Sequence, residues 1–278
     1  MYSELFTSGC SFLTGAYDHD EYEYLPRPEF RKRHRSAFQN PKQRSFPKLL
    51  SEALNIPLIN KAKAGENNSY IIRTAYNYIK NKRGSKKRSL VILGLTDFAR
   101  RPIQYPYKDD YHSISPRDKN THTQAYKENL LKYISPSKFN KLQDDIYKYL
   151  WNENLALSEL MQDLNMLHSF GKYSNCKVIV FQSFHRSKLC NLSEIFTPTK
   201  EKYKNEFDFF NFGFPKDKLY SWSDFIRLYA PEHKSGHPLS YDTLVFSKYM
   251  AEYIRTESIS QLTLNVSEYD VNFTKTVI

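Results

Sequence analysis

Four short polar stretches carry the residue types that acyl transfer needs, although they are spread along the chain. They are centred on Ser11, Gly65, Thr96 and His237. A serine hydroxyl can attack a carbonyl carbon, a histidine can take the hydroxyl proton, and small or backbone donors can stabilise the resulting oxyanion. Together these residue types indicate chemistry on an ester or related carbonyl group, with no metal ion and no organic cofactor required.

The elements around these stretches predict how they come together. Short apolar runs predict β-strands and amphipathic stripes predict helices between them. The first predicted strand begins near residue 5, and the others span 56–60, 89–94 and 176–181. The predicted helices span 46–54, 69–82, 139–170 and 241–255. The third of these helices is expected to be broken near residue 152 and to stop at Gly171. This alternation predicts a flavodoxin-like three-layer α/β/α fold with a central parallel sheet, in which the carboxyl ends of the strands share one ligand-binding edge.

The strand and helix signals are interrupted by long irregular segments. We predict a single α/β domain over residues 1–256, with insertions at about 16–45, 101–137 and 184–230 and a C-terminal extension over 257–278. Connections of this length are uncommon in compact domains and usually serve as lids, binding insertions or interfaces. The insertions are therefore expected to surround the ligand-binding edge.

Composition excludes several classes of protein. The chain has 278 residues, a formal net charge of +11 and three cysteines. The positive charge is dispersed, with denser patches at 31–35 and 82–88. We therefore favour the interpretation that these charges lie on a solvated surface over the interpretation that they bind nucleic acid. The cysteines are too few for a disulfide framework or a zinc cluster. No apolar run is long enough to span a membrane and no secretory signal is visible, which predicts a protein made in the cytoplasm.

Two of the polar stretches resemble sequence blocks of the SGNH (GDSL-like) hydrolase family, most closely its divergent Gly-Cys-Ser members that are common in phages. The stretch 9–12 is similar to the family's Gly-Asp-Ser, with Cys10 in place of aspartate. The stretch 60–68 is similar to its Gly-x-Ser-Asn block, with Asn67 at the serine position. The resemblance implies that Ser11 is the nucleophile and an oxyanion donor, that Gly65 donates a backbone N–H, and that Asn68 belongs to the oxyanion or substrate-binding group.

The other two blocks depart from the family pattern. Gly-x-Asn-Asp is present as 94–97 with Thr96 in place of the oxyanion-binding asparagine. The resemblance implies that His237 is the catalytic base, but the aspartate expected three residues earlier is Lys234. Glu232 is the replacement acid that we expect. Further candidates for this third catalytic group are Asp224 and Asp242.

These features predict an SGNH-type serine ester hydrolase, esterase- or acetylesterase-like, encoded by a phage and acting on an acylated carbohydrate. The alternative is a catalytically weak or inactive virion structural or attachment protein on a hydrolase scaffold, favoured by the missing aspartate and by Thr96. The expected partners are an ester or acylated-glycan substrate and, for a virion-associated protein, other virion proteins or a second copy of the chain. A nucleic-acid binder using the 31–35 patch is a third and less favoured hypothesis.

Overall fold

A computed structural model of the protein describes residues 2–14, 45–97, 100–104, 111–114, 134–150, 152–183, 208–209, 221–223 and 240–256. The strands are β1 (Glu4–Gly9), β2 (Leu58–Asn60), β3 (Ser89–Leu95), β4 (Arg101–Gln104), β5 (Tyr111–Ile114), β6 (Cys176–Gln182) and β7 (Asp208–Phe209). The helices are α1 (Ser11–Thr14), α2 (Phe46–Leu54), α3 (Asn68–Lys80), α4 (Pro136–Asp145), which continues into a π-helical turn (Ile146–Leu150), α5 (Glu153–Tyr173) and α6 (Ser240–Thr256).

Five of the strands form one parallel sheet in the order β2-β1-β3-β6-β7, and β4 and β5 form a separate antiparallel hairpin. When the hairpin strands are left out of the numbering, the strands of the main sheet follow the order 2-1-3-4-5, which is the flavodoxin-like order. In this arrangement each crossover between parallel strands places a helix against a face of the sheet. In the register of the sheet, Gly9 of β1 lies opposite Gly94 of β3, and Gly94 lies opposite Phe181 of β6. The predicted α/β fold with a central parallel sheet is confirmed.

The two faces of the sheet hold separate apolar cores, because the central strands are buried on both sides. One core contains side chains from α1, α2 and α6 together with Trp222, whose ring centroid lies 4.4 Å from that of Phe246. The other contains side chains from α3 and α5, such as Ile72 and Leu164, packed on Val91. These helices on opposite faces are the outer layers of the three-layer fold.

The helix expected over 139–170 is interrupted where the sequence predicted a break. The side chain of Asn152 accepts a hydrogen bond from the backbone N–H of Leu155 at 3.0 Å and caps the start of α5.

Two other expectations, both about the insertions, are corrected. The region 101–137, predicted to be irregular, contains the β4–β5 hairpin, and the insertion expected over 184–230 contributes β7, a fifth strand of the main sheet. The segments 16–44 and 257–278 lie outside the described residues.

Gly171 was predicted to end the long helix, and that prediction is wrong. Helix α5 continues through it to Tyr173, and the left-handed residue that follows is Asn175, with a φ of 56°. A Cβ atom at position 171 would lie 2.7 Å from Cγ2 of Val178 and 3.2 Å from the carbonyl oxygen of Cys176. The glycine is therefore required by the close approach of α5 to β6.

A polar cluster joins the amino ends of β1 and β3 to the end of α3. The Ser89 hydroxyl donates to the Glu4 carboxylate at 3.1 Å, and the Lys82 ammonium pairs with the same carboxylate. Burial raises the pKa of Glu4, but hydrogen bonds from Lys82 and Ser89 and the charge of Lys82 lower it below its ordinary value. Burial also raises the pKa of the nearby Cys176 thiol to about 11, so this cysteine stays protonated.

Glu4→Gln tests how much this cluster stabilises the fold. Because the pKa of Glu4 is lower in the folded than in the unfolded chain, its contribution is present above its ordinary pKa and is lost as pH falls through the folded value. At neutral pH we expect the variant to lose about 1.5–3 kcal/mol of unfolding free energy, the contribution of hydrogen bonds to a charged group. Urea unfolding measured from neutral to acidic pH should show the difference from the unmutated protein shrinking in acid.

The matched control is Glu52→Gln, because Glu52 forms an exposed i,i+4 pair with Lys48 on α2. Exposed pairs of this kind contribute about 0.3–0.5 kcal/mol. Equal losses of unfolding free energy in the two variants would contradict a specific role for the Glu4 cluster.

Candidate active site

Ser11 lies at the carboxyl edge of the sheet, at the first position of the short helix α1 that follows β1. The turn is closed by a hydrogen bond from the backbone N–H of Leu13 to the carbonyl of Cys10, at 3.0 Å. A second bond runs from the Thr14 hydroxyl to the carbonyl of Ser11, at 2.9 Å. Ser11 itself is half-buried. The predicted nucleophile is therefore placed at the edge where parallel α/β sheets bind ligands.

Two glycines make room for the helix that carries Ser11. A Cβ atom at Gly9 would lie 2.9 Å from both methyl carbons of Leu13, and one at Gly94 would lie 2.3 Å from Cδ1 of the same leucine. These glycines face each other on β1 and β3. The Leu13 side chain fills the space left by the two missing Cβ atoms, and α1 is thereby seated directly on the sheet.

The turn that carries Gly65 runs beside β1 after β2 has ended. Backbone N–H groups of Lys61 and Lys63 donate to the carbonyls of Thr7 and Gly9, at 2.8 and 3.0 Å. Gly65 follows two residues later with a φ of 82°, a conformation that favours glycine because it has no Cβ. The turn with the predicted backbone donor thus lies next to the carboxyl end of β1, from which Ser11 also emerges.

Asn60 connects this turn to the helix of Ser11, although the sequence did not single it out as a site residue. Its side-chain amide donates to the carbonyl of Leu13 at 3.1 Å. Its oxygen accepts from the Thr7 hydroxyl and from the backbone N–H of Ala62, both at 2.9 Å. The only signal in the sequence is its position as a polar residue at a strand exit, a place where asparagine commonly bonds to nearby backbone.

Thr96 is held in place by two amide side chains. Its backbone N–H donates to Oδ1 of Asn68 at 2.9 Å, and its carbonyl accepts from Nδ2 of Asn68 at 3.2 Å and from Nε2 of Gln182 at 3.0 Å. Thr96 is fully buried, and its hydroxyl has no hydrogen-bond partner in the described part of the chain. An unpaired buried hydroxyl is costly, and the hydroxyls of Ser8 and Ser183 share this property in the described part of the chain.

These bonds define what Asn68 and Gln182 can do. The oxygen and one N–H of the Asn68 side chain are used on Thr96, so its predicted role in binding an oxyanion or substrate depends on the remaining amide hydrogen. Gln182 was missed by the sequence analysis. Its signal is that of a polar residue closing an otherwise buried strand, and its partner across the sheet is visible only in the fold.

Further contacts join the turn after β2 to the segment that follows β3. The side chain of Asn67 accepts from the backbone N–H of Tyr70 at 2.9 Å and caps α3, which confirms the predicted cap. Glu66 is buried, and its carboxylate pairs with the ammonium of Lys63 at 2.7 Å. The guanidinium of Arg100 donates to the carbonyl of Glu66 at 3.4 Å. Three of the four predicted polar stretches are therefore neighbours at one edge of the sheet.

The fourth stretch is not described. His237 and Glu232 lie outside the described residues, as do Asp224 and Lys234, and for Asp242 only the backbone position in α6 is described. Their catalytic roles stay predictions.

Within the described ranges, no group of three or more His, Cys, Asp or Glu side chains is placed to hold a metal ion. In the same part of the chain, no helix has the length and apolar character needed to cross a membrane.

Neither a known protein-family profile nor a curated protein sequence matches this chain. Similar solved structures include the acetyl xylan esterase Est2A of Butyrivibrio proteoclasticus, with 13% identity, a TM-score of 0.45, and coverage of 92% of this chain and 64% of that one. A family two carbohydrate esterase of Clostridium thermocellum, solved with cellohexaose, has 11% identity, a TM-score of 0.44, and coverage of 92% and 64%. This chain therefore spans less than two thirds of either esterase.

A third similar structure comes from Desulfitobacterium hafniense. It is a lipolytic protein of the G-D-S-L family. Its identity to this chain is 10% and its TM-score is 0.45, with coverage of 90% of this chain and 98% of that one.

Proposed function

We propose that the protein is a serine ester hydrolase of the SGNH type. The observation that carries the proposal is the placement of Ser11 directly after β1, at the sheet edge where the turn with Gly65 and the segment with Thr96 also lie. Ser11 and Thr96 each lie two residues beyond one of the paired glycines, Gly9 and Gly94. Since neighbouring strands are about 4.8 Å apart, these paired glycines bring the carboxyl ends of β1 and β3 side by side.

The proposed reaction proceeds through an acyl-enzyme. His237 takes the proton of the Ser11 hydroxyl as its oxygen attacks the ester carbonyl carbon, and the resulting oxyanion accepts hydrogen bonds from the backbone N–H groups of Ser11 and Gly65 and from the Thr96 hydroxyl. The carbon–oxygen bond to the alcohol then breaks, and His237 returns the proton to the departing alcohol. Water, deprotonated by His237, cleaves the acyl-enzyme, releases the carboxylic acid and restores Ser11. Glu232 is proposed to orient the imidazole.

The proposed substrate is an acylated carbohydrate, with a small O-acyl group on a surface glycan of the host of a phage. A polar cavity lined by Asn68, whose side chain bonds to the backbone of Thr96, supports this choice of substrate. The second candidate is a virion structural or attachment protein with weak activity or none. It is favoured by the side chain of Thr96, which is shorter than the asparagine of the family pattern, since loss of one oxyanion donor typically lowers the rate by about 100- to 1,000-fold.

Covalent labelling separates the two candidates. The protein is incubated with a fluorophosphonate probe over a range of pH, and the modified peptide is identified by mass spectrometry. We expect one adduct, on the peptide that contains Ser11, and no adduct when the protein is first unfolded in urea, because only the folded site activates the serine. A folded protein that is not labelled at any pH, or that is labelled at other serines equally, would refute the hydrolase and favour the structural role.

A further inference from the structure

A cavity of about 250 Å³ lies between α3 and α5, and Asn68 is one of its lining residues. Its described lining comes from the first turns of α3, the first half of α5 and Arg100 just before β4. Both helices run antiparallel to the strands that they cover, so their first turns lie at the carboxyl edge of the sheet. The cavity therefore lies toward the carboxyl edge of the sheet, on the face that α3 and α5 cover.

The lining combines acceptors, donors and an apolar wall. Glu159 and Asp163 are one helical turn apart on α5, and both line the cavity. Arg100 contributes a guanidinium that is anchored on the carbonyl of Glu66. Burial and the charge of Glu159 raise the pKa of Asp163. The apolar wall is formed by the buried side chains of Ile72, Ala156 and Leu160.

We propose that this cavity is a subsite for one neutral sugar ring of the substrate, with Glu159 and Asp163 accepting hydrogen bonds from ring hydroxyls and Arg100 donating to them. The two carboxylates disfavour an anionic ligand, and the guanidinium disfavours a cationic one. A neutral ring with hydroxyls that both donate and accept can hydrogen-bond to all three groups in addition to the contacts they already make, and its C–H face fits the apolar wall. The volume is below the about 300–1,000 Å³ typical of pockets for drug-sized ligands, which suits a single ring.

Asn68 places this subsite relative to the chemistry. Its side chain lines the cavity. The same carboxamide donates to the backbone carbonyl of Thr96 and accepts from the backbone N–H of Thr96. A ring in the cavity would therefore be separated from Thr96 by the Asn68 side chain, and an acyl substituent on it would extend toward Thr96. The position of the acyl group rests on the proposed function, whereas the binding of the ring does not.

The test is direct binding of free sugars to the Ser11→Ala protein, so that no ester is turned over. The probes are the methyl glycosides of glucose and galactose, N-acetylglucosamine, and glucosamine as a cationic comparison, each followed by ligand-observed NMR. We expect at least one neutral sugar to bind with a millimolar dissociation constant. Asp163→Asn and Glu159→Gln should each weaken that binding by about tenfold, the effect of losing one hydrogen bond to a charged group. Glu52→Gln on α2 is the matched carboxylate-to-amide control and should leave it unchanged.

Several outcomes would overturn the subsite. These are the failure of every neutral sugar to bind, binding of glucosamine alone, or binding that survives both carboxylate variants unchanged. Should either of these variants fail to fold, Gln162→Ala replaces it, because that side chain lines the cavity from an exposed position. Failure of fluorophosphonate labelling with sugar binding intact would refute the hydrolase and leave the sugar site standing; the reverse result would remove only the subsite.

Discussion

Ser11→Ala should reduce kcat for hydrolysis of p-nitrophenyl acetate by about 10,000-fold or more. Removing the nucleophile from a serine hydrolase removes the covalent route, and what remains is the about 1,000- to 10,000-fold acceleration over water that oxyanion donors and substrate binding supply on their own. The change deletes one oxygen atom from a half-buried side chain. We therefore expect the unfolding free energy to change by no more than about 1 kcal/mol, within the usual range for a single substitution.

The control is Ser8→Ala, three residues earlier in β1. Ser8 is fully buried, and its hydroxyl has no hydrogen-bond partner in the part of the chain that the structure describes. Removing this hydroxyl should leave both hydrolysis and folding close to those of the unmutated protein. Retained activity in Ser11→Ala would contradict the assignment of the nucleophile, as would an equal loss of activity in Ser8→Ala with the fold intact.

Among the described glycines, Gly94 should be the one whose replacement by alanine is most damaging. Its Cβ would lie 2.3 Å from Cδ1 of Leu13, 2.6 Å from Oγ of Ser183 and 3.0 Å from Cζ of Phe181. Three neighbours cannot all move away inside a packed core, and overpacking commonly costs about 1–3 kcal/mol and sometimes more. We expect a loss of at least about 3 kcal/mol of unfolding free energy in urea titrations, together with loss of ester hydrolysis because Leu13 seats the helix of Ser11.

Two further variants show whether this loss comes from the steric clash. Gly84→Ala adds a methyl group where no other atom of the structure lies within 4 Å, at a φ of 80°, so it should cost only the about 1–2 kcal/mol of left-handed strain. Leu13→Ala combined with Gly94→Ala should be more stable than the sum of the two single effects predicts, since shortening the leucine removes the closest contact. Strict additivity in that double-mutant cycle would contradict the packing explanation.

Much of the fold follows from local patterns. The runs of β3 and β6 are apolar on both faces because the strands lie in the middle of a parallel sheet, and such runs are visible without a structure. Helix α2 has the predicted bounds, with Pro47 in its first turn. The two-residue strand β7 has no pattern of its own and exists because β6 offers it an edge. The role of Gly171 could not be read from the sequence either, because the atoms that exclude a Cβ there belong to the following strand.

The candidate site also contains residues that could be recognised from the sequence and residues that could not. Ser11, Gly65 and Thr96 are recognisable because small and polar residues directly follow apolar runs, and a parallel sheet must collect such strand exits at one edge. Asn60 and Gln182 were not recognised as positioning residues, since their partners are backbone groups of neighbouring segments. Likewise, the reciprocal bonds between Asn68 and Thr96 join residues 28 positions apart.

The fit of Leu13 against Gly9 and Gly94 has a consequence for protein engineering. The helix of Ser11 rests on the sheet through this aliphatic side chain as well as through Phe12, which packs on Trp222. Exchanging the leucine for valine, isoleucine or methionine would change that contact while every polar side chain of the site stays in place. Position 13 is thus a place where directed evolution can shift the reactive hydroxyl through packing alone, without altering the chemistry.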